Sequence, residues 1–220
     1  DLADSHPDWF VNGKPGPDVQ LRLWRPEVVD RVAGDVIAYF NRPLAERQAP
    51  HDAFLPGKGD LCTLGPLDNR SFDDQDVKSR LDAARTNAFF GDGRASDYWF
   101  GFVNQVAGRV LAVHPGKWIA SPAYASHYEP PTFPLHSNIA VYVAMADGWD
   151  EQGYGMRTLR AWRDRVSRLL TYEYGYMPDF PKVQPEVIAG YTDRLRALGV
   201  EGCFMERISG SEPALHHINH

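Results

Sequence analysis

Short apolar runs alternate along this chain with longer stretches whose apolar residues recur every three or four positions. The short runs centre on Phe54, Ile119, Val141, Thr171 and Phe204 and read as strands, while the longer ones read as amphipathic helices. The first helix is expected from Pro26 to about Asn41. Pro26 suits its first turn, Glu27 suits the positive end of the helix dipole, and Val28, Val32, Val36 and Phe40 form one stripe. Ser96 or Asp97 is expected to cap a second helix, in which Trp99, Phe102, Val103, Val106, Val110 and Val113 keep helical spacing until Pro115-Gly116. A strand over 117–121, a Pro- and Tyr-rich loop over 121–134, and a strand over Ile139–Met145 follow.

The third helix is expected over residues 154 to about 169, with Leu159, Trp162, Val166 and Leu169 inward, and a strand over 170–174 comes next. A fourth helix begins at Pro185, carries Val187, Ile188, Tyr191, Leu195 and Leu198 on its apolar face, and stops at Gly199. A strand over 201–206 completes the series, and the chain is expected to end at His220 inside another helix. His6-Pro7-Asp8-Trp9-Phe10 and Asn12-Gly13-Lys14-Pro15 read as loop and turn. The stretch over about 43–95 is the least regular and exceeds what a connector needs, so a functional loop or insertion is expected there.

Alternating strands and helices imply an α/β fold with a parallel sheet. A closed (β/α)8 TIM barrel needs about 250 residues, and this chain supplies about five units. Residues 1–220 are therefore expected to form a single domain, or a segment of one, holding the later strands of a glycoside-hydrolase-like barrel. The competing architecture is an open, doubly wound sheet. Its nucleotide-binding version is weakened because no Gly-rich phosphate loop follows a strand; Gly57-Lys58-Gly59 is too short and lacks the helix.

Composition narrows the partners. The chain has 220 residues, 43% of them hydrophobic, which is enough for one sizeable core. A net charge of −6 without a basic stripe speaks against nucleic acid. No apolar run reaches the ~18–20 residues that a membrane span requires, and no signal-peptide pattern is present. The chain begins Asp1-Leu2-Ala3 without Met, which reads as a processed product or an excised segment. Cys62 and Cys203 fit no metal spacing; they could pair or remain two free thiols. His216 and His220 are spaced i, i+4, but no HExxH pattern accompanies them, so neither a metal nor a cofactor is expected. No Gly-x-Ser-x-Gly elbow is present either. Aromatics make up 12% of the chain, with 6 Trp, a composition suited to stacking on flat ligand faces.

Candidate chemistry gathers at predicted strand ends, where a barrel places its active site. Glu173 lies between Tyr172 and Tyr174, and strand alternation sends it to one side of the sheet and the tyrosines to the other. It could act as a general acid, bind a sugar hydroxyl, or be held by an Arg inside the barrel. Glu206 ends the run Gly202-Cys203-Phe204-Met205, where a carboxylate needs a partner or a substrate. Asp147 and Trp149 follow the third strand in a composition typical of a sugar clamp, while Asp150-Glu151 reads better as the acidic first turn of a helix. Tyr124, His127 and Tyr128 lie in a loop stiffened by prolines; His127 could donate a hydrogen bond to a ligand or face solvent.

Several segments together resemble the DUF4838 family, which overlaps the endo-β-N-acetylglucosaminidases of glycoside hydrolase family 163. They include His6-Pro7-Asp8-Trp9-Phe10, Arg25-Pro26-Glu27-Val28-Val29, Asn104-Gln105-Val106-Ala107 and His114-Pro115-Gly116-Lys117-Trp118-Ile119-Ala120. Ala123-Tyr124, Pro130-Pro131, Asn138-Ile139-Ala140-Val141, Tyr172-Glu173-Tyr174 and the strand that follows Gly199 also fit. The resemblance implies a glycosidase-like barrel within a longer exported bacterial protein with flanking domains, secreted, periplasmic or at the cell surface. It also implies cleavage within the chitobiose core of N-glycans. One departure stands out. Where the family shows Pro-Asn-Asp-Gly and a cysteine cluster, this chain reads Pro56-Gly57-Lys58-Gly59-Asp60-Leu61-Cys62, so either Asp60 substitutes for the missing acid or this strand end has lost its role.

The expected function is thus hydrolysis of an oligosaccharide, with glycans containing N-acetylglucosamine as the candidate substrates that the resemblance implies. Glu173, Glu206 and Asp60 are the catalytic candidates, and Tyr124, His127, Asp147, Trp149 and Tyr174 the substrate-binding ones. Two carboxyl groups ~5 Å apart would serve a retaining mechanism, or a 2-acetamido group on the substrate could itself attack. The alternative is a barrel that binds glycans without cleaving them.

Overall fold

A computed structural model of the 220-residue chain describes residues 2–16, 19–47, 59–67, 75–89, 91–145, 152–173 and 185–205. Five strands form one sheet: β1 (Leu61–Thr63), β2 (Trp118–Ala123), β3 (Ile139–Met145), β4 (Arg168–Glu173) and β5 (Val200–Met205). They lie in sequence order, and every neighbouring pair is parallel. The longer helices are α1 (Pro26–Asn41), α2 (Ser96–Val113), α3 (Tyr154–Arg163) and α4 (Pro185–Ala197). The protein is therefore a mixed α/β fold on a five-stranded parallel sheet.

The pairing register sorts the strand residues onto two faces. Ile119 pairs with Ile139, Val141 with Leu169, and Val143 with Thr171, so Ile119, Val141, Val143, Met145, Leu169, Thr171 and Glu173 share one face. Residues from all four helices join the apolar members of that face in one continuous core: Val29 and Val36 from α1, Trp99 and Val106 from α2, Leu159 and Trp162 from α3, Tyr191 and Leu195 from α4. The opposite face carries a separate, smaller cluster of Leu61, Ala120, Ala140 and Leu170, flanked by Trp118 and Tyr142. Near its carboxyl end Tyr172 and Phe204 lie 5.0 Å apart by ring centroid.

Local chemistry explains most boundaries. α1 starts at Pro26, whose missing N–H costs nothing in a first turn. α4 is followed by Gly199 at φ +74°, the left-handed stop expected at that position. α2 departs from expectation at its cap. Ala95 occupies the cap position without a side-chain bond. Ser96 and Asp97 instead reach outward: the Ser96 hydroxyl donates to the Glu129 carbonyl (2.6 Å), and the Asp97 carboxylate accepts from Thr132 N (2.7 Å) and Thr132 Oγ1 (2.6 Å).

Two further differences from the sequence pattern matter. The expected strand at Phe54 falls outside the described residues, and the first strand observed is β1, which begins two residues after Gly59. α3 ends at Arg163 rather than near residue 169, because Leu169 is drawn into β4 beside Val141. As the Pro- and Tyr-rich sequence implies, β2 and β3 are joined by a loop, 124–138, with a single 3-10 turn at Ala125–His127.

That loop lies against α2 and α3, and its polar backbone is met by side chains. Tyr128 Oη donates to the Ala144 carbonyl (2.7 Å), Trp162 Nε1 donates to the Tyr128 carbonyl (2.7 Å), and Asn104 Oδ1 accepts from His136 N (2.7 Å). Asn138 Nδ2 donates to the Pro115 and Lys117 carbonyls. Segment 91–95 docks alongside, through Asp92 N to the Ala125 carbonyl, Tyr128 N to the Asp92 carbonyl and Ala95 N to the Ser126 carbonyl. Gly91 is required at this seam, since a Cβ there would stand 2.5 Å from Tyr128 Cβ.

Tyr128 is 1% exposed, so Tyr128→Phe removes a buried hydrogen bond without changing the ring. The substitution is expected to cost about 1–2 kcal/mol of unfolding free energy by urea denaturation, with an unchanged slope. A loss below about 0.3 kcal/mol would mean that this bond does not pin the loop.

Candidate functional site at the carboxyl end of the sheet

Glu173 is the last residue of β4 and is 3% exposed. It faces the helices, not the opposite side where Tyr172 lies, and Tyr191 Oη of α4 donates to its Oε1 at 2.8 Å. The carboxylate is thus set between sheet and helix layer, beside the β5 residue Cys203, whose thiol is pushed up first by burial and then by the Glu173 charge. On the other face, burial and then neighbouring Tyr172 push the Tyr142 phenol up. Strand alternation separates the motif as expected; the acid takes the helix side and the tyrosine the open side.

A second carboxylate, Glu129, stands at the head of a polar network that sequence reasoning did not single out. Tyr154 Oη, at the start of α3, donates to Glu129 Oε1 at 2.5 Å. Asn87 Nδ2 reaches Tyr154 Oη at 2.7 Å and Glu129 Oε1 at 3.3 Å, and Arg85 Nη2 contacts Glu129 Oε2 at 3.3 Å. The Tyr154 phenol is pushed up to about 12, by burial first and then by its hydrogen bond to Glu129 and that group's charge. Phe89 stacks on Tyr154 with centroids 4.3 Å apart, and Arg157 lies over both rings. The network combines a carboxylate, an amide, a guanidinium and an exposed ring, the groups that bind sugar hydroxyls and sugar faces. A signal existed in the sequence: Glu129 lies in the same loop as Tyr124 and His127, after β2.

His127 is buried (2% exposed) rather than facing solvent or a ligand. Its ring packs 5.5 Å from Trp99 and 6.3 Å from Phe100, and neither ring nitrogen has a hydrogen-bond partner among the described residues. Burial pushes its pKa down to about 3, so the ring is neutral. Tyr124 is half-buried against the main core.

Asp60 immediately precedes β1 rather than following a strand, and its carbonyl accepts from Trp118 N at the start of β2. That places it at the amino end of the sheet, opposite Glu173. Glu206, Asp147, Trp149 and Tyr174 lie outside the described residues, so neither they nor their distances to Glu129 and Glu173 enter the site as built.

Cys62 and Cys203 are free thiols on β1 and β5, with three strands between them. Among the described residues no three His, Cys, Asp or Glu side chains converge as metal ligands, and no helix is long and apolar enough to cross a membrane. A cavity of about 380 Å³ beside the end of β1 is lined mainly by apolar groups, among them Phe10, Leu21, Leu64, Trp99 and Phe102.

Residues 3–218 match the model of a family described as Domain of unknown function (DUF4838). No curated protein matches the chain. Among solved structures, it is similar to the Clostridial cellulose synthase subunit Z (CcsZ) from Clostridioides difficile, at 14% identity and a TM-score of 0.38. The match covers 53% of this chain and 50% of that one, so this chain spans about half the length of that structure.

The neutral, buried His127 makes stability depend on pH. The unfolded chain protonates this group below its ordinary value of 6.5, while the folded chain resists until about 3. Stability is therefore highest above pH 6.5 and is lost as pH falls through that interval, by up to about 1.4 kcal/mol per pH unit from this group. His127→Leu is expected to remove that slope. Urea midpoints of the two proteins should diverge progressively from pH 6.5 down to 4.5, and parallel curves would show that His127 is not held neutral.

Proposed function

The chain belongs to the DUF4838 family, and from that membership and its geometry we propose that it is a glycoside-hydrolase-like β/α-barrel segment acting on an oligosaccharide. The single observation that carries the reading is the sheet: five parallel strands in strict sequence order, with all four helices joined to one face. A doubly wound sheet reverses its strand order and carries helices on both faces. A barrel keeps sequential order and one-sided helices, and directs its inner face and carboxyl-end loops toward a ligand. Trp118, Ala120, Ala140, Tyr142, Leu170, Tyr172 and Phe204 would then line the barrel interior, the small alanines leaving room for the rings.

Overlap of the family with the glycoside hydrolase family 163 endo-β-N-acetylglucosaminidases supports a substrate containing N-acetylglucosamine, and export as part of a longer protein. Glu206, next in sequence after β5, is the carboxyl group we assign to proton transfer. Asp147, Trp149 and Tyr174, which follow β3 and β4 in sequence, are assigned to substrate binding together with Tyr124. Glu173 acts from behind the sheet; its bond to Tyr191 fixes the end of β4, so it is a positioning residue in this scheme. Hydrolysis needs a second group opposite Glu206, either a carboxylate ~5 Å away in a retaining reaction or the substrate's own acetamide oxygen.

The alternative, glycan binding without cleavage, is favoured by one specific observation. Of the three carboxylates expected to do chemistry, Glu173 is held on the helix side and Asp60 stands at the opposite end of the sheet.

Incubation with N-glycans, read by mass spectrometry of released oligosaccharides, tests the proposal. The wild type is expected to release a reducing-end fragment, and Glu206→Gln to slow release by roughly 10²–10⁴-fold while glycan binding persists. Binding without release would favour the non-catalytic reading, and absence of both would contradict a carbohydrate role.

A further inference from the structure

We infer that the cavity between Glu129 and α3 binds an anionic group carried on a sugar ring, so that the preferred glycan is acidic. This rests on the carbohydrate reading above and names its substrate class. The cavity measures about 330 Å³, and three guanidinium groups, Arg85, Arg157 and Arg165, line it together with Glu129, Tyr154 and Thr158. Three positive charges against one negative charge leave an excess in a space this small.

The three arginines are held differently. Arg85 is committed: Nη2 donates to the Pro130 carbonyl (2.7 Å) and to Glu129, and Nη1 meets Asp97 at 3.4 Å. Arg157 and Arg165 meet no carboxylate among the described residues. Arg157 instead lies 5.7 Å from the Phe89 ring centroid and 5.6 Å from that of Tyr154. Its donors are therefore available to an oxyanion while its position is fixed by the rings. The planar guanidinium fork matches a carboxylate or sulfate bidentately.

Sequence and structure also argue for a sugar as the carrier of that anion. Phe89 is 55% exposed and stacks on Tyr154, giving an apolar platform beside the arginines on which a sugar face can lie. Glu129 holds Tyr154, Asn87 and Arg85 in place and keeps a 31% exposed edge that can accept sugar hydroxyls. No Gly-rich loop of the kind that cradles a nucleotide phosphate occurs in the sequence. Arg157 and Arg165 lie eight residues apart, on α3 and in the turn that follows it. This places along one cavity wall two cations that have no carboxylate partner among the described residues.

Calorimetric titration of the full chain with three hexasaccharides tests the inference: unsulfated chondroitin, which offers only uronate carboxylates, its 6-sulfated form, and neutral chitohexaose. At low salt, at least one acidic ligand is expected to bind about tenfold or more tightly than chitohexaose, and the advantage should shrink as salt rises. A preference for the first acidic ligand assigns the site to a carboxylate, and a preference for the second assigns it to a sulfate ester. Arg157→Gln/Arg165→Gln should abolish the advantage while leaving chitohexaose binding and the thermal midpoint unchanged. Arg163→Gln, an exposed arginine of the same helix outside the cavity, should preserve the advantage. Equal affinity for all three ligands, or an advantage that survives the double substitution, would overturn the inference alone. Absence of binding by every hexasaccharide would overturn it together with the carbohydrate reading.

Discussion

A chain segment that crosses a helix layer without being a helix must find partners for its own amides and carbonyls. The 124–138 loop meets this constraint with side chains from two directions: Ser96, Asp97 and Asn104 from α2, and Trp162 from α3. Tyr128 secures the loop back to the end of β3. The parallel β2–β3 pairing and the position of Glu129 both depend on this arrangement. So does the docking of segment 91–95, which brings Arg85 and Asn87 to Glu129. Ala125, at φ 47° in the left-handed region, shows that the surrounding contacts override a local backbone preference.

The second organising fact is that the two faces of the sheet differ. One face is sealed by four helices, and it holds Glu173, Thr171 and the aliphatic side chains of β3. The other carries small residues interleaved with Trp118, Tyr142, Tyr172 and Phe204, which keep partial exposure. Parallel sheets are normally covered on both sides, and the barrel proposed above would supply that cover by enclosing the aromatic face. Strand register holds Glu173 on the helix side, where Tyr191 bonds it, whereas Glu129 stands in the loop that follows β2.

Much of the fold was legible in the sequence because period and punctuation agreed. Pro26 and the Val28-Val32-Val36-Phe40 stripe gave α1, and Gly199 gave the end of α4. The β3 limits were read directly from an unbroken apolar run. What misled the reading was competition between elements: Leu169 suits a helix stripe by spacing, yet burial beside Val141 places it in β4. β1, at three residues, is too short to carry a period. The site was harder to read. Glu173 was visible as an acid between tyrosines, but its facing depended on register, which no local pattern reports. Glu129, Arg85 and Tyr154 are distant in sequence and meet only because the loop is pinned.

Native-state hydrogen exchange resolved to single amides measures that pinning most directly. The amides of Thr132 and His136 donate to Asp97 and Asn104 at 2.7 Å each, and Tyr128 N donates to the Asp92 carbonyl at 2.8 Å. If the loop is an integral part of the fold, these amides exchange at least about a hundredfold more slowly than an unstructured chain and open together with β3. Exchange at unstructured rates while the β3 amides stay protected would contradict the account.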